Sequence, residues 1–363
     1  MNTIRTLLVD DTVIYRKILA EVVSKFPYIE NAGTAASGSI ALRKMAQSPV
    51  DLVLLDLHMP DMDGVETLKL IRQKHPQTLV VIISGINSRS ARTTIAALEL
   101  GAVDFVRKPE GNDFQANIER MVNDLTPVFR LVQSRIRSTH PSVKQTGRVK
   151  ASPPADSSAA MVKNPAVPDL FSVVVIGVST GGPEALKKLI PLLPASLPVP
   201  VLLVQHMPPT FTRSLAESLN RKSSLQVMEA EEQQVVKPGC VYIAPGGKHM
   251  VVREKNGTVY IGLNDGPPEN SCRPSVDVLF RSVASVYGGR GILAAVLTGM
   301  GSDGLNGVRT LKRKGCLCLT QDEKSCVVYG MPRAVDEAGL SDKSLSLEHI
   351  AKEMCMKLRC SPL

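Results

Sequence analysis

The 363-residue sequence has no tryptophan and no Cys-x-x-Cys pair. It also has no apolar run approaching the roughly 18 residues that a membrane span needs. Its first residues pass straight into a strand-like pattern without the apolar segment of an export signal, so a cytoplasmic protein with no membrane insertion is expected. The seven cysteines all lie between Cys240 and Cys360, and the nearest two, Cys316 and Cys318, sit in an apolar strand-like run. Buried free thiols are expected rather than a metal knot or a disulfide framework. Neither half shows a helix-turn-helix pattern or basic residues interleaved with aromatics, which argues against nucleic acid as a partner despite a net charge of +9.

That charge is concentrated. Between Arg130 and Pro168 there are seven basic residues, Arg130, Arg135, Arg137, Lys144, Arg148, Lys150 and Lys163, against the single acid Asp156. The same segment contains RVKASPPADSSAAMVKNPAVP, which has little to bury and reads as a solvated basic linker. With 44% hydrophobic residues on 363, the chain can support two cores. The expected organisation is a first domain over residues 1–126, a linker over 127–168 and a second domain over 169–363.

In the first domain, IRTLLVD, DLVLLD, LVVIIS and AVDFV are apolar runs of strand length, as parallel strands covered on both faces require. A helical pattern, Ile14, Ile18 and Val22 with Leu19, Val23 and Phe26 widening the stripe, follows the first of them. The fold class is therefore α/β, with a doubly wound parallel sheet whose ligands lie beyond the carboxyl ends of its strands. Asp10, Asp11 and Asp56 fall at those ends, with Ser84 and Lys108 ending later strands. Three carboxylates on one rim repel one another, and an oxygen-only donor set suits Mg²⁺.

LLVDD, LLDLHMPDMDG, ISG and FVRKP together resemble the receiver domain of two-component response regulators over residues 3 to 125. The resemblance implies a flavodoxin-like domain with Asp56 as phosphoryl acceptor. It also implies Asp10, Asp11 and Asp56 around Mg²⁺, Ser84 as switch hydroxyl, Phe105 as switch aromatic and Lys108 as phosphate partner. A histidine kinase is the implied phosphodonor.

The second domain begins with FSVVVIGVSTGGPEALKKL, a strand that runs into a helix through the G-x-S-x-G of Gly177 to Gly181. Such a turn lifts a serine hydroxyl above a sheet, whereas a phosphate cradle expects G-x-G-x-x-G or Gly-Lys-Ser/Thr. Ser179 as nucleophile needs a base and an orienting acid; alone, it reads equally as a helix cap. His206 follows the strand VPVLLVQ onto the same rim and is the better placed base. His249, beside a hairpin signalled by Asn256-Gly257, is assigned to the wall of the substrate cleft, and His349 belongs to the terminal helix. Asp303 ends the strand GILAAVLTGMGSDG, while Asp265 and Asp277 are read as turn and solvated-face residues. The order Ser, His, Asp differs from the Ser, Asp, His order of α/β-hydrolases, but a triad is defined by geometry.

IGVSTGGPEAL, VQHMPPTFT, YIAPGGKHM, CRPSVDVLFRSVA, LTGMGSDG and YGMPRAV resemble the catalytic domain of chemotaxis protein-glutamate methylesterases. The resemblance implies a Rossmann-like esterase domain that hydrolyses glutamate methyl esters on methylated chemoreceptors and deamidates receptor glutamines, in chemotaxis adaptation. Ser179, His206 and Asp303 would be its triad, with backbone N–H groups near Thr180 and Met300 stabilising the oxyanion and no cofactor in this half. Two other readings remain at this level: a binding module with an inert Ser179, and a hydrolase acting on another acyl substrate.

Overall fold

The computed structural model describes residues 3–85, 87–109, 111, 113–139, 170–288 and 290–361. The first domain alternates β1 (Ile4–Val9), α1 (Val13–Ser24), β2 (Ile29–Ala35), α2 (Gly38–Gln47), β3 (Leu52–Asp56), α3 (Gly64–Lys74), β4 (Leu79–Ser84), α4 (Ser88–Glu99), β5 (Asp104–Arg107) and α5 (Phe114–Thr139). Its five strands form one parallel sheet in the order β2-β1-β3-β4-β5. The chain reverses direction across the sheet between β1 and β3, and the crevice beyond those two strand ends is where a ligand sits. That is where Asp10, Asp11 and Asp56 stand. The expected stripe on α1 is shifted: Ile18, Leu19, Val22 and Val23 are buried, but Ile14 is 62% exposed.

Helix α5 does not stop at the expected boundary of residue 126; it continues to Thr139. The cause is apolar. Val128, Phe129, Leu131 and Val132 beyond that point are buried, and Phe129 meets Phe26 edge-on at 4.9 Å. Burying such side chains contributes about 1.5–3 kcal/mol each, which offsets the cost of Pro127 inside the helix. The rest of the basic linker, residues 140–168, lies outside the described residues, as does residue 169.

The second domain runs β6 (Val173–Val178), α6 (Gly182–Leu189), β7 (Val201–Gln205), α7 (Phe211–Asn220), β8 (Gln226–Glu229), β9 (Cys240–Ile243), β10 (His249–Lys255), β11 (Thr258–Asn264), α8 (Val276–Tyr287), β12 (Ile292–Val296), α9 (Leu305–Lys312), β13 (Leu317–Gln321), α10 (Met331–Glu337), β14 (Lys343–Leu345) and α11 (Leu347–Lys357). Seven strands make a second parallel sheet, ordered β14-β13-β12-β6-β7-β9-β8. From β6 the chain grows one way through β7 and later returns to build the other half from β12. The switch point therefore falls between β6 and β12. Strands β10 and β11 form the expected antiparallel hairpin, turned by Asn256 (φ 52°) and Gly257 (φ 76°).

The domains meet along α4 and β5. Phe105 stacks on Phe211 with ring centroids 4.5 Å apart. Glu99 at the end of α4 accepts from Ser218 Oγ at 2.7 Å and pairs with Lys222, while its carbonyl accepts from Lys187 Nζ at 3.0 Å. Asp104 Oδ2 accepts from Thr180 Oγ1 at 3.0 Å.

Candidate active site

The turn after β6 is shaped by what surrounds it. Ser179 N donates to Thr298 O at 3.0 Å, and Ser179 O accepts from Gln205 Nε2 at 2.9 Å, so the turn is tied to the loop after β12 and to the end of β7. Gly181 takes φ 78° as the cap of α6, and a Cβ there would stand 2.4 Å from Val327. A Cβ on Gly299 would stand 2.7 Å from the Ser179 Cβ. Both glycines are needed for close approach, which keeps the serine in one position.

His206 follows β7 and Asp303 follows β12, as the strand-end reading expected. His206 Nε2 lies 2.8 Å from Asp303 Oδ2. The carboxylate therefore takes the Nε2–H, which leaves the lone pair on Nδ1. The described partner of Nδ1 is Cys272 Sγ, at 3.5 Å. Ser179 and His206 line one cavity of about 100 Å³, but no hydrogen bond joins them among the described residues. Leu98, Asp104 and Phe105 of the first domain line the same cavity.

Asp303 is held by more groups than the sequence revealed. Its Oδ1 accepts from Asn270 Nδ2 (2.8 Å), Ser275 Oγ (2.9 Å) and Asp277 N (3.2 Å), and its Oδ2 also accepts from Val276 N (2.7 Å). The free N–H groups at the start of α8 thus close on this carboxylate, a favourable place for negative charge. Burial pushes Asp303 upward, but His206 and these donors outweigh it and bring it down to about 2. His206 moves the other way. Burial lowers it, and hydrogen bonds to Asp303 and Cys272 more than compensate, holding it at about 9.

Two expectations are corrected. His249 is not a cleft wall: it is 2% exposed, and its Nδ1 accepts from Ser275 N at 3.2 Å while Nε2 faces Pro267 O at 3.0 Å. Its β10 position tucks it behind the loop that clamps Asp303. Asp277 is buried rather than solvated, accepting from Gly307 N at 2.6 Å and Asn270 Nδ2 at 3.1 Å. Met300 is 42% exposed and lines a separate cavity with Tyr329 and Arg333, and Thr180 has its hydroxyl on Asp104 and its carbonyl on Thr298 Oγ1. The missed residues, Asn270, Cys272 and Ser275, all lie in NSCRPSVD, and the available signal was a serine immediately before a helix.

In the first domain, Lys108 Nζ reaches Asp10 Oδ2 at 2.7 Å and Asp56 Oδ2 at 2.8 Å. Burial, partly offset by Lys108 and reinforced by Asp56, raises the Asp10 carboxyl above its usual range. Ser84 Oγ accepts from Thr94 Oγ1 at 2.6 Å, so the hydroxyl is turned toward α4. Phe105 faces the second domain.

A family model described as CheB methylesterase matches residues 174–354, and one described as response regulator receiver domain matches residues 6–119. A protein-glutamate methylesterase/protein-glutamine glutaminase of Desulfotalea psychrophila is 43% identical over 362 residues, covering 98% of each chain. One from Trichodesmium erythraeum is 42% identical over 359 residues, covering 99% of this chain and 100% of the relative. The crystal structure of the Thermotoga maritima CheB methylesterase catalytic domain is similar at 43% identity with a TM-score of 0.50, covering 51% of this chain and 98% of that domain. The two domain matches, in this order, and relatives aligned end to end place the chain in one family: it belongs to the receiver-carrying CheB methylesterases, the protein-glutamate methylesterases/protein-glutamine glutaminases.

Proposed function

We propose that the protein hydrolyses glutamate methyl esters, and deamidates glutamines, on chemoreceptors by a Ser179-His206-Asp303 mechanism, under control of phosphorylation at Asp56, in chemotaxis adaptation. The observation that carries this reading is the His206–Asp303 pair at the switch point of the second sheet, in one cavity with Ser179 and under the receiver. His206 Nδ1 takes the Ser179 proton as Oγ attacks the ester carbonyl. Asp303 keeps the ring in the Nε2–H tautomer and stabilises its cation. Collapse of the tetrahedral adduct expels methanol with the proton from His206, and water then releases the acyl group by the same steps in reverse. Backbone N–H groups near Thr180 and Met300 are the candidates for the oxyanion, worth about 3–4 kcal/mol per donor. A cytoplasmic location accords with the finding that no described helix is long and apolar enough to cross a membrane.

The tautomer has a consequence for pH. A base must be neutral to accept the serine proton, and His206 is held at about 9. In the unphosphorylated protein, kcat/KM should therefore rise about tenfold per pH unit below that value and level off above it. A steady-state profile with a methyl-labelled receptor fragment checks this; a profile flat from pH 6 to 8 would mean that His206 is already neutral there and would contradict the raised value.

On the receiver, Asp10, Asp11 and Asp56 offer carboxylate oxygens that all lie within 4.8 Å of one another. Apart from the Lys108 ammonium, no donor among the described residues reaches the buried Asp10 Oδ2 and Asp56 Oδ2. That oxygen-only set fits Mg²⁺, which would neutralise charge on the entering phosphoryl oxygens. Asp56 supplies the attacking carboxylate, Lys108 holds the product and Ser84 turns toward it from Thr94, with a histidine kinase as donor. Asp56→Asn should abolish phosphoryl uptake from a small phosphodonor. Wild-type labelling of that variant would place the acceptor elsewhere.

A further inference from the structure

Cys272 stands apart from most of the other cysteines. Cys240, Cys316, Cys318 and Cys355 are buried, whereas Cys272 is partly accessible and touches the imidazole on which the reaction depends. His206, Cys272 and Asp303 each place a potential ligand atom within 4.8 Å of the others. The chemistry of that set differs from the carboxylate cluster of the receiver: a thiolate and an imidazole nitrogen select zinc and its neighbours over magnesium.

The distances sort these atoms into roles. With Zn–N about 2.0 Å and Zn–S about 2.3 Å, tetrahedral coordination puts nitrogen and sulfur about 3.5 Å apart. His206 Nδ1 and Cys272 Sγ are 3.5 Å apart. Asp303 cannot share the same ion with Nδ1, because it lies across the ring at Nε2, 2.8 Å away, and is held there by Asn270, Ser275, Val276 and Asp277. Its place is behind the ligand, where a carboxylate on the far ring nitrogen fixes the tautomer and makes the imidazole a better donor. The geometry already present for orienting a base is the same one that orients a metal-binding histidine.

We propose that His206 Nδ1 and Cys272 Sγ form a site for a thiophilic divalent metal ion, Zn²⁺ in particular, with Asp303 supporting His206 from the opposite side and water completing the coordination. Binding releases the thiol proton and, at neutral pH, the Nδ1 proton of the His206 cation to solvent, and it occupies the nitrogen that must accept the Ser179 proton. The ion is therefore an inhibitor of the hydrolase, and the site couples its activity to available zinc or similar metals. Metal binding itself does not rest on the esterase reading; only its inhibitory effect does.

The test uses the full-length protein. Co²⁺ added after saturation with Mg²⁺ should give a thiolate-to-cobalt charge-transfer absorption, which the carboxylates of the receiver cannot produce. Zn²⁺ should displace it and a chelator should erase it. Cys272→Ser and His206→Gln should each lose the band. Asp303→Asn should retain it with affinity lower by about 10–100-fold, as for loss of a group supporting a metal-bound histidine. In parallel, Zn²⁺ should lower methanol release by the wild type, while Cys272→Ser, compared with its own chelator-treated rate, should be much less sensitive. Absence of the band in the wild type, or its persistence in Cys272→Ser, would overturn the site. A Cys272-dependent band without inhibition would retain the metal site but remove His206 from the role of base.

Discussion

Replacing Ser179 with alanine is expected to lower turnover on methylated receptor by roughly a million-fold, the scale on which a serine hydrolase loses activity with its nucleophile. His206→Ala should lose a comparable amount, and the double substitution should be no worse than either alone, because the three groups act as one unit. Asp303→Asn should also be severe. Its carboxylate is the only group seen on His206 Nε2 among the described residues, and an amide in its place could present an N–H to the nitrogen and select the wrong tautomer. His249→Ala provides the contrast. Its imidazole acts one step removed, through Ser275 N, so a partial loss of turnover with an altered pH profile is expected. If His206→Ala kept most of its turnover while His249→Ala lost nearly all, the base would have been misassigned.

The second large effect concerns the receiver. Leu98, Asp104 and Phe105 line the cavity that holds Ser179, and Phe105 is stacked on Phe211 of the hydrolase. On the proposed function these residues obstruct the way of a protein substrate to Ser179, and inhibition would be an equilibrium between closed and open arrangements. Moving it from 1:99 to 99:1 open requires about 5.5 kcal/mol of differential stabilisation from the phosphoryl group. Ser84 swinging from Thr94 toward phosphate would disturb α4, which carries Glu99 and its contacts to Ser218, Lys222 and Lys187. Deleting residues 1–165 should therefore give a hydrolase about a hundredfold faster than an intact protein that is 1:99 open, and indifferent to phosphodonor. Equal rates for the two proteins would rule out steric cover and leave recruitment as the means of activation.

Asp104 refines that prediction. It is half-buried at the contact, and desolvation there, only partly offset by Phe105 N and the Thr180 hydroxyl, raises its carboxyl to about 6. A group whose pKa is raised on closing favours the closed arrangement at low pH and loses that contribution as pH rises through about 6. At neutral pH the buried charge costs closure on the order of 3 kcal/mol if the open form titrates normally. Asp104→Asn keeps an acceptor for Thr180 without the charge, and should lower basal activity by an order of magnitude or more at neutral pH.

The sequence was most informative where chemistry sits at strand ends. Strands β1, β3, β4 and β5 were legible as apolar runs; of the polar residues at their ends Asp10, Asp56 and Lys108 come together, while the Ser84 hydroxyl is bonded to Thr94. The pairing of His206 with Asp303, and the place of Ser179 in the same cavity as His206, were legible from strand ends too. Strand β2, IENAGTA, was not, because an edge strand with one covered face carries no apolar run. The boundary at residue 126 failed because composition marks where polar residues begin, whereas α5 ends according to packing of Val128, Phe129 and Val132. Asn270, Ser275 and His249 were hidden because their partners lie tens of residues away, across a loop that no periodicity describes. Which nitrogen of His206 faces the acid was equally out of reach, since it depends on side-chain direction rather than spacing.

The central claim is that one chain combines a phosphorylated switch with the hydrolase it covers. Its most direct test is methanol release from a methyl-labelled receptor fragment by the full-length protein, measured with and without a small phosphodonor and Mg²⁺, beside Asp56→Asn and Ser179→Ala. The account predicts slow release that accelerates with phosphodonor in the wild type, slow release unresponsive to phosphodonor in Asp56→Asn, and none in Ser179→Ala under either condition. Undiminished release by Ser179→Ala, or equal acceleration of Asp56→Asn, would contradict it.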